Sequence, residues 1–233
     1  MKTLLLIAAA LLAAGCAAIK PAQMALPAGL EARTVAASID GLGGGRRGDF
    51  SMAGNQGSFS RSADRLALFD ELAVFNWGGA GYTVRGADFA APVSARCKLR
   101  QATVTLAVVE FRPKKMAYEC DFDGAAPFSA ARLSLQESAT AVSTLGRAER
   151  RGRITVGGTV LALRSVHDLV GSPLQLAFPI GYLIDKDGQP LAAVELNGTV
   201  PQLRLPASAP AETRQAVLLA ALALAVLWDP AAL

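Results

Sequence analysis

The stretch 216–228 constrains this chain more than any other feature. It is thirteen consecutive Ala, Val, Leu and Trp residues without one polar side chain. Pro210 suits a first helical turn, Glu212 puts negative charge near a helix N-terminus, and Pro230 ends the element. The spacing predicts a helix over 212–228, roughly 25 Å long at about 1.5 Å per residue. Crossing a bilayer takes about 20 apolar residues, and this run falls short. A helix that is apolar on every face has to be surrounded rather than half exposed. Ala216, Ala220 and Ala223 would make one slim face, with leucines filling the others.

The residues available to surround it read as strands. Short runs at 33–39, 49–52, 57–61 and 82–85 are separated by Gly-rich turns. The strongest strand signal is 102–112, with Pro113-Lys114-Lys115 as the turn and 116–122 alternating with period two on the way back. Later strands are expected at 131–135, 153–156, 159–166, 174–184 and 191–196. The stretch 66–75 is ambiguous between a short helix and a strand, and 138–151 reads as a polar loop with room for a helical turn. About a dozen evenly spaced strands predict a mainly β domain: a closed barrel or sandwich with the apolar C-terminal helix filling or capping it.

The segment ahead of the helix is Gly181-Tyr182-Leu183-Ile184-Asp185-Lys186-Asp187-Gly188-Gln189-Pro190-Leu191-Ala192-Ala193-Val194-Glu195. A strand running into an Asp-Gly turn, a return strand of small and apolar residues, and a hydrophobic C-terminal helix together resemble the tubby-like barrel of tubby domains and phospholipid scramblases. The resemblance implies a strand-rich barrel enclosing the helix. The basic lipid-binding cluster of that family has no clear counterpart here. A β-sandwich lipoprotein with an amphitropic tail helix is the rival architecture.

The other end of the chain carries a different signal. Met1-Lys2-Thr3 is followed by an eleven-residue apolar core, 4–14, and then Gly15-Cys16. The core is too short to span a bilayer as a permanent helix. The run Ala13-Ala14-Gly15-Cys16 resembles a bacterial lipoprotein signal, although leucine is commoner where Ala13 stands. That resemblance implies cleavage before Cys16 and acylation of Cys16, and Ala17, in place of an Asp, resembles outer-membrane sorting. An ordinary secretory leader cut near Ala14 or Ala17 is the alternative. The expected organisation is a signal peptide at 1–15, an Ala- and Pro-rich lipidated tether at 16–30, and one β-rich periplasmic domain at 31–233.

With Cys16 acylated, Cys97 and Cys120 remain, an even pair in an oxidising compartment. A disulfide between them is expected, although sequence does not tell whether the two backbones approach. The formal charge is +4, and +3 once Lys2 leaves with the leader, too mild to argue for nucleic acid. Gly43-Gly44-Gly45-Arg46-Arg47-Gly48 matches G-x-G-x-x-G, but a strand follows it rather than the helix a dinucleotide needs, so it reads as a flexible turn. Asp185-Lys186-Asp187-Gly188 has its glycine fourth where a calcium loop needs it sixth, and reads as a hairpin turn. His167-Asp168 is the only His–acid neighbour pair and reads as a loop histidine, since adjacent residues rarely orient each other. Zinc would need more His and Cys than the chain offers.

Arg46-Arg47, Lys114-Lys115 and Arg150-Arg151 fall at three expected turns. They are either solvated turn tips or a basic rim meeting anionic lipid head groups, worth about 1 kcal/mol per charge near a surface. No nucleophile–base constellation stands out. The expectation is therefore a non-enzymatic binding or scaffold module on the periplasmic face of the outer membrane, without cofactor or metal. Its partners would be the membrane, through the lipid anchor, and an envelope protein or lipid. A periplasmic hydrolase with an unrecognised site, and a lipid-transfer module with an empty apolar cavity, are the alternatives.

Overall fold

The computed structural model of the protein describes residues 22–68, 72–106, 109–138, 148–173 and 175–229, with side chains described outside 104–114. The strands are β1 (Thr34–Asp40), β2 (Arg47–Met52), β3 (Asn55–Leu68), β4 (Ala73–Gly86), β5 (Phe89–Leu106), β6 (Val109–Asp123), β7 (Arg132–Glu137), β8 (Arg150–Val156), β9 (Thr159–Val166), β10 (Gly181–Lys186), β11 (Gln189–Glu195) and β12 (Gln202–Pro206). They are followed by one α-helix, α1 (Ala211–Val226). Each strand pairs antiparallel with its sequence neighbour, and β12 pairs with β1 to close a twelve-stranded barrel. Closure removes the exposed edges that an open sheet would present.

A barrel of about eight strands can be filled by its own side chains, and a wider one leaves space. Here α1 takes that space. Residues 216–224 have no exposure to solvent, and the helix touches β3, β4, β5, β8, β9, β11 and β12. The wall meets it with alternating inward residues, such as Ala80, Tyr82 and Val84 of β4. Burying each leucine contributes about 1.5–3 kcal/mol. Two tyrosines of the wall fix the helix in register: Tyr82 Oη donates to Leu219 O at 2.7 Å and Tyr118 Oη to Ala223 O at 2.9 Å. The accepting residues are one helical turn apart, so both phenols address one helix face. Among the described residues no helix is long and apolar enough to cross a membrane.

The helix ends earlier than its apolar run. Leu227 leaves helical geometry at φ −59°, ψ 117°, well before Pro230. The reason is tertiary: Trp228 and Asp229 turn away to meet Arg61 and Arg150 at the rim.

The strands differ from expectation in the long hairpins. The run 102–112 is not one strand. Leu106 pairs with Val109, so the chain reverses inside it, and 107–108 lie outside the described residues. Pro113-Lys114-Lys115, expected as the turn, belongs to β6. The register shifts between Ala102↔Lys114 and Val104↔Phe111, and Pro113 falls in that bulge, where a missing N–H breaks no ladder bond. The ambiguous 66–75 is hairpin on both sides, with Leu66 opposite Phe75. β10 starts at Gly181 rather than 174, and β12 is a strand beyond the expected set.

β3, β4, β5 and β6 have 14, 14, 18 and 15 residues, against 5 to 8 in the other strands. Arg61, midway along β3, already lies over Trp228, just past the end of α1. The four long strands therefore run on beyond the rim, as a flap at the end of the barrel where α1 terminates. The described part of the expected tether is docked rather than free. Met24 and Leu30 are buried on the outer wall against Val166, Ile180, Leu183 and Ala193. Ala25 N donates to Asp168 O and Val170 N to Gln23 O, both at 2.9 Å.

Candidate functional site

The rim at the C-terminal end of α1 gathers buried polar side chains from distant parts of the chain. Arg61 reaches across from β3. Its guanidinium carbon lies 5.2 Å from the ring centres of both Phe59 and Trp228. Its Nε donates to Gly45 O at 2.9 Å and its Nη2 to Leu42 O at 3.0 Å, which pins the β1–β2 connection over the mouth.

Behind Trp228 sits a second cluster. Arg150, at the first position of β8, is 5% exposed and pairs with Asp229. Its Nη1 donates to Tyr182 Oη at 3.3 Å, while its buried Nε has no partner. Burial alone would lower the Arg150 pKa, but Tyr182 and Asp229 more than offset this and raise it, so the guanidinium stays charged. Burial pushes the Tyr182 phenol up, opposed by the adjacent guanidinium. A small cavity of about 290 Å³ opens beside these groups, bounded by Leu224, Leu227 and Trp228 and covered by Phe178 and Pro179.

Ser165 and His167 continue the cluster. Ser165 Oγ accepts from Arg150 N at 2.9 Å and lies 3.0 Å from His167 Nε2, while His167 Nδ1 is 2.9 Å from Leu176 O. A carbonyl can only accept, so Nδ1 carries the proton and Nε2 accepts from the Ser165 hydroxyl. This places a hydroxyl and an imidazole as a nucleophile and its base, oriented by a carbonyl in place of a carboxylate. Asp168, the sequence neighbour, turns away to accept from Gln175 Nε2 at 2.6 Å.

The expected site residues distribute as follows. Cys16 lies outside the described residues. Cys97 and Cys120 are joined in a disulfide, directly opposite each other on β5 and β6 with Cα atoms 4.0 Å apart. Arg46, Arg47, Lys115 and Arg151 are exposed. Lys115 Nζ donates to Ser138 O at 3.3 Å, and Lys115 and Arg151 share a depression with Arg100. The Lys114 side chain lies outside the described residues. All three doublets belong to the rim where α1 ends, but Arg150 is not a turn tip: it points inward because Asp229 and Tyr182 are there to receive it.

His167, read as a loop histidine, is 4% exposed and hydrogen-bonded. Sequence reasoning missed Arg61, Ser165, Tyr182, Trp228 and Asp229 as members of this rim. Only the Ser165-Val166-His167 alternation could have hinted at it, since period two puts both polar groups on one face. Asp187 and Gly188 form the β10–β11 turn with φ of 52° and 76°. Among the described residues no group of three or more His, Cys, Asp or Glu could hold a metal ion. No protein-family model, no curated protein and no solved structure matches this chain.

Proposed function

We propose that the protein is an outer-membrane lipoprotein, anchored through Cys16 to the periplasmic face, whose barrel is a non-enzymatic binding or scaffold module of the envelope. The observation that carries this reading is a lipoprotein-like leader joined to a barrel whose interior is already occupied by its own helix. A carrier of lipid needs an empty apolar cavity, and α1 leaves none of the barrel core for one. Binding then falls to the outer surface and the rims. The Cys97–Cys120 bond supports an oxidising compartment. The barrel enclosing a C-terminal helix also supports the resemblance to tubby-like domains. Metabolic labelling with palmitate tests the anchor. The wild type should be tagged, and equal labelling of Cys16→Ser would remove the basis of the proposal.

A second reading, a periplasmic hydrolase, is favoured by one observation, the 3.0 Å contact between Ser165 Oγ and His167 Nε2. A fluorophosphonate probe reads it directly: labelling of the wild type that vanishes in Ser165→Ala would turn the assignment to an enzyme.

A further inference from the structure

We propose that the flap formed by β3–β6 is a membrane-contacting tip, which inserts apolar side chains into the lipid surface carrying the anchor. Four antiparallel strands run beyond the barrel rim, and their outward face changes character along its length. Nearest the tip it presents Leu66, Leu68, Phe75 and Trp77, which are 45%, 39%, 40% and 44% exposed. Register places them on one face, with Leu66 opposite Phe75 and Leu68 opposite Ala73. Leu72, at the reversal, adds a further side chain at 46% exposure.

Immediately behind, on the same outward face, stands a basic group: Arg100, opposite Trp77, shares a depression with Lys115 and Arg151. Further back, Lys98 stands between Gly79 and Glu119 and Arg96 between Gly81 and Asp121, so those two cations are balanced by acids across the strand. Successive pairs are about 7 Å apart along the strands. An apolar tip with Trp at its base and cations one step back matches the layering of a bilayer interface. There, aromatic rings sit at head-group level and Lys and Arg meet phosphate. Phe75 and Trp77 have no partner in the barrel core, whereas the opposite face of the same strands buries Val74 and Asn76.

The path of the N-terminal segment points the same way. Asn197 Nδ2 donates to Ala22 O, and Gln23 and Ala25 are hydrogen-bonded to the start of the β9–β10 connection. The chain therefore enters the described fold at the rim that bears the flap. Five residues lie between Cys16 and Ala22, and the six steps can span at most about 22 Å. If Cys16 carries the anchor, on which the proposed function rests, this rim lies against the membrane. Val170, Phe178 and Val200, exposed in the connections of the same rim, add apolar surface to that side.

The test uses the full chain purified from native envelopes and reconstituted into phosphatidylethanolamine/phosphatidylglycerol vesicles with brominated acyl chains, which quench tryptophan only within the bilayer. Wild type is compared with Trp77→Phe, a substitution at an exposed position. The emission difference between the two, which is that of Trp77, should be largely lost in brominated vesicles, and less so when phosphatidylcholine replaces phosphatidylglycerol. Mass spectrometry of the Cys16 peptide is read on the same sample. Acylated Cys16 with Trp77 unquenched overturns the tip while leaving the anchor. Quenched Trp77 with unmodified Cys16 keeps the tip and removes the anchor. Trp77 unquenched by bromine but shielded from acrylamide would assign the patch to a protein partner and overturn the lipid assignment.

Discussion

Arg214 in the first turn of α1 donates from Nε to Asp88 Oδ1 at 2.7 Å, tying the enclosed helix to the β4–β5 turn. Asp88 is the hub of that end of the barrel. Its backbone carbonyl accepts from Gln215 Nε2 at 2.6 Å, and its Oδ2 accepts from Asn55 Nδ2 at 2.8 Å. The helix is thus registered at its N-terminal end by ionic and amide contacts, and along its length by Tyr82 and Tyr118. Removing the carboxylate strands several donors at once. Asp88→Ala should cost about 1–3 kcal/mol in chemical denaturation. An unchanged midpoint would make the network peripheral.

The helix itself should be indispensable. Leu222 has no solvent exposure. Leu222→Ala should cost about 2–5 kcal/mol through the cavity it leaves, and Leu222→Asp should prevent folding, because the buried charge has no partner. Thermal unfolding reads both. A chain lacking 212–233 that still melts cooperatively at the wild-type temperature would show that the wall does not need its filling.

The chain's three tyrosines, Tyr82, Tyr118 and Tyr182, are all buried, and burial, the first cause for each, raises their phenol pKa values. The neutral phenol is therefore favoured in the folded state, and its contribution is complete below the unfolded value of about 10. Above that pH the unfolded chain ionises and the folded one does not, so stability falls as pH rises toward the folded values. Absorbance at 295 nm should show no phenolate while the protein stays folded near pH 10, then a cooperative rise coincident with loss of near-ultraviolet dichroism. Gradual titration of any tyrosine in folded protein would contradict the enclosure of α1.

The Cys97–Cys120 bond closes a hairpin with a sequence separation of 23 residues. Cys97→Ala/Cys120→Ala should lower stability by about 3 kcal/mol on chain-entropy grounds. Non-reducing peptide mapping of native protein should find the two peptides joined, and quantitative alkylation of both thiols would count against the bond.

Arg150 and Asp229 are buried together, so breaking the pair should cost more than removing it. Arg150→Met alone should destabilise by about 3–5 kcal/mol, whereas Arg150→Met/Asp229→Leu should recover much of that loss. A double-mutant cycle in denaturant measures the coupling. Additive losses would mean that Tyr182, and not Asp229, holds the guanidinium.

By itself the sequence determined the class of the fold. Thirteen apolar residues at 216–228 demanded enclosure, and a β-rich remainder was the only material to enclose them. The even cysteine pair left in the mature chain likewise announced its bond by count, whereas the register that sets Cys97 opposite Cys120 came only with strand pairing. These features are local: periodicity, side-chain polarity and count need no knowledge of distant partners. The tertiary structure decided the rest. The reversal between Leu106 and Val109 is hidden in sequence because apolar residues lie on both sides of it. Arg150 reads as a turn tip until Asp229, far along the chain, is brought beside it. The Ser165–His167 pair, the outward patch on the flap and the docking of Met24 on the wall likewise depend on barrel closure and strand register. A hydrophobic pattern records which side chains avoid water, whereas the partner of each polar or exposed group is set only once the strands have closed around the helix.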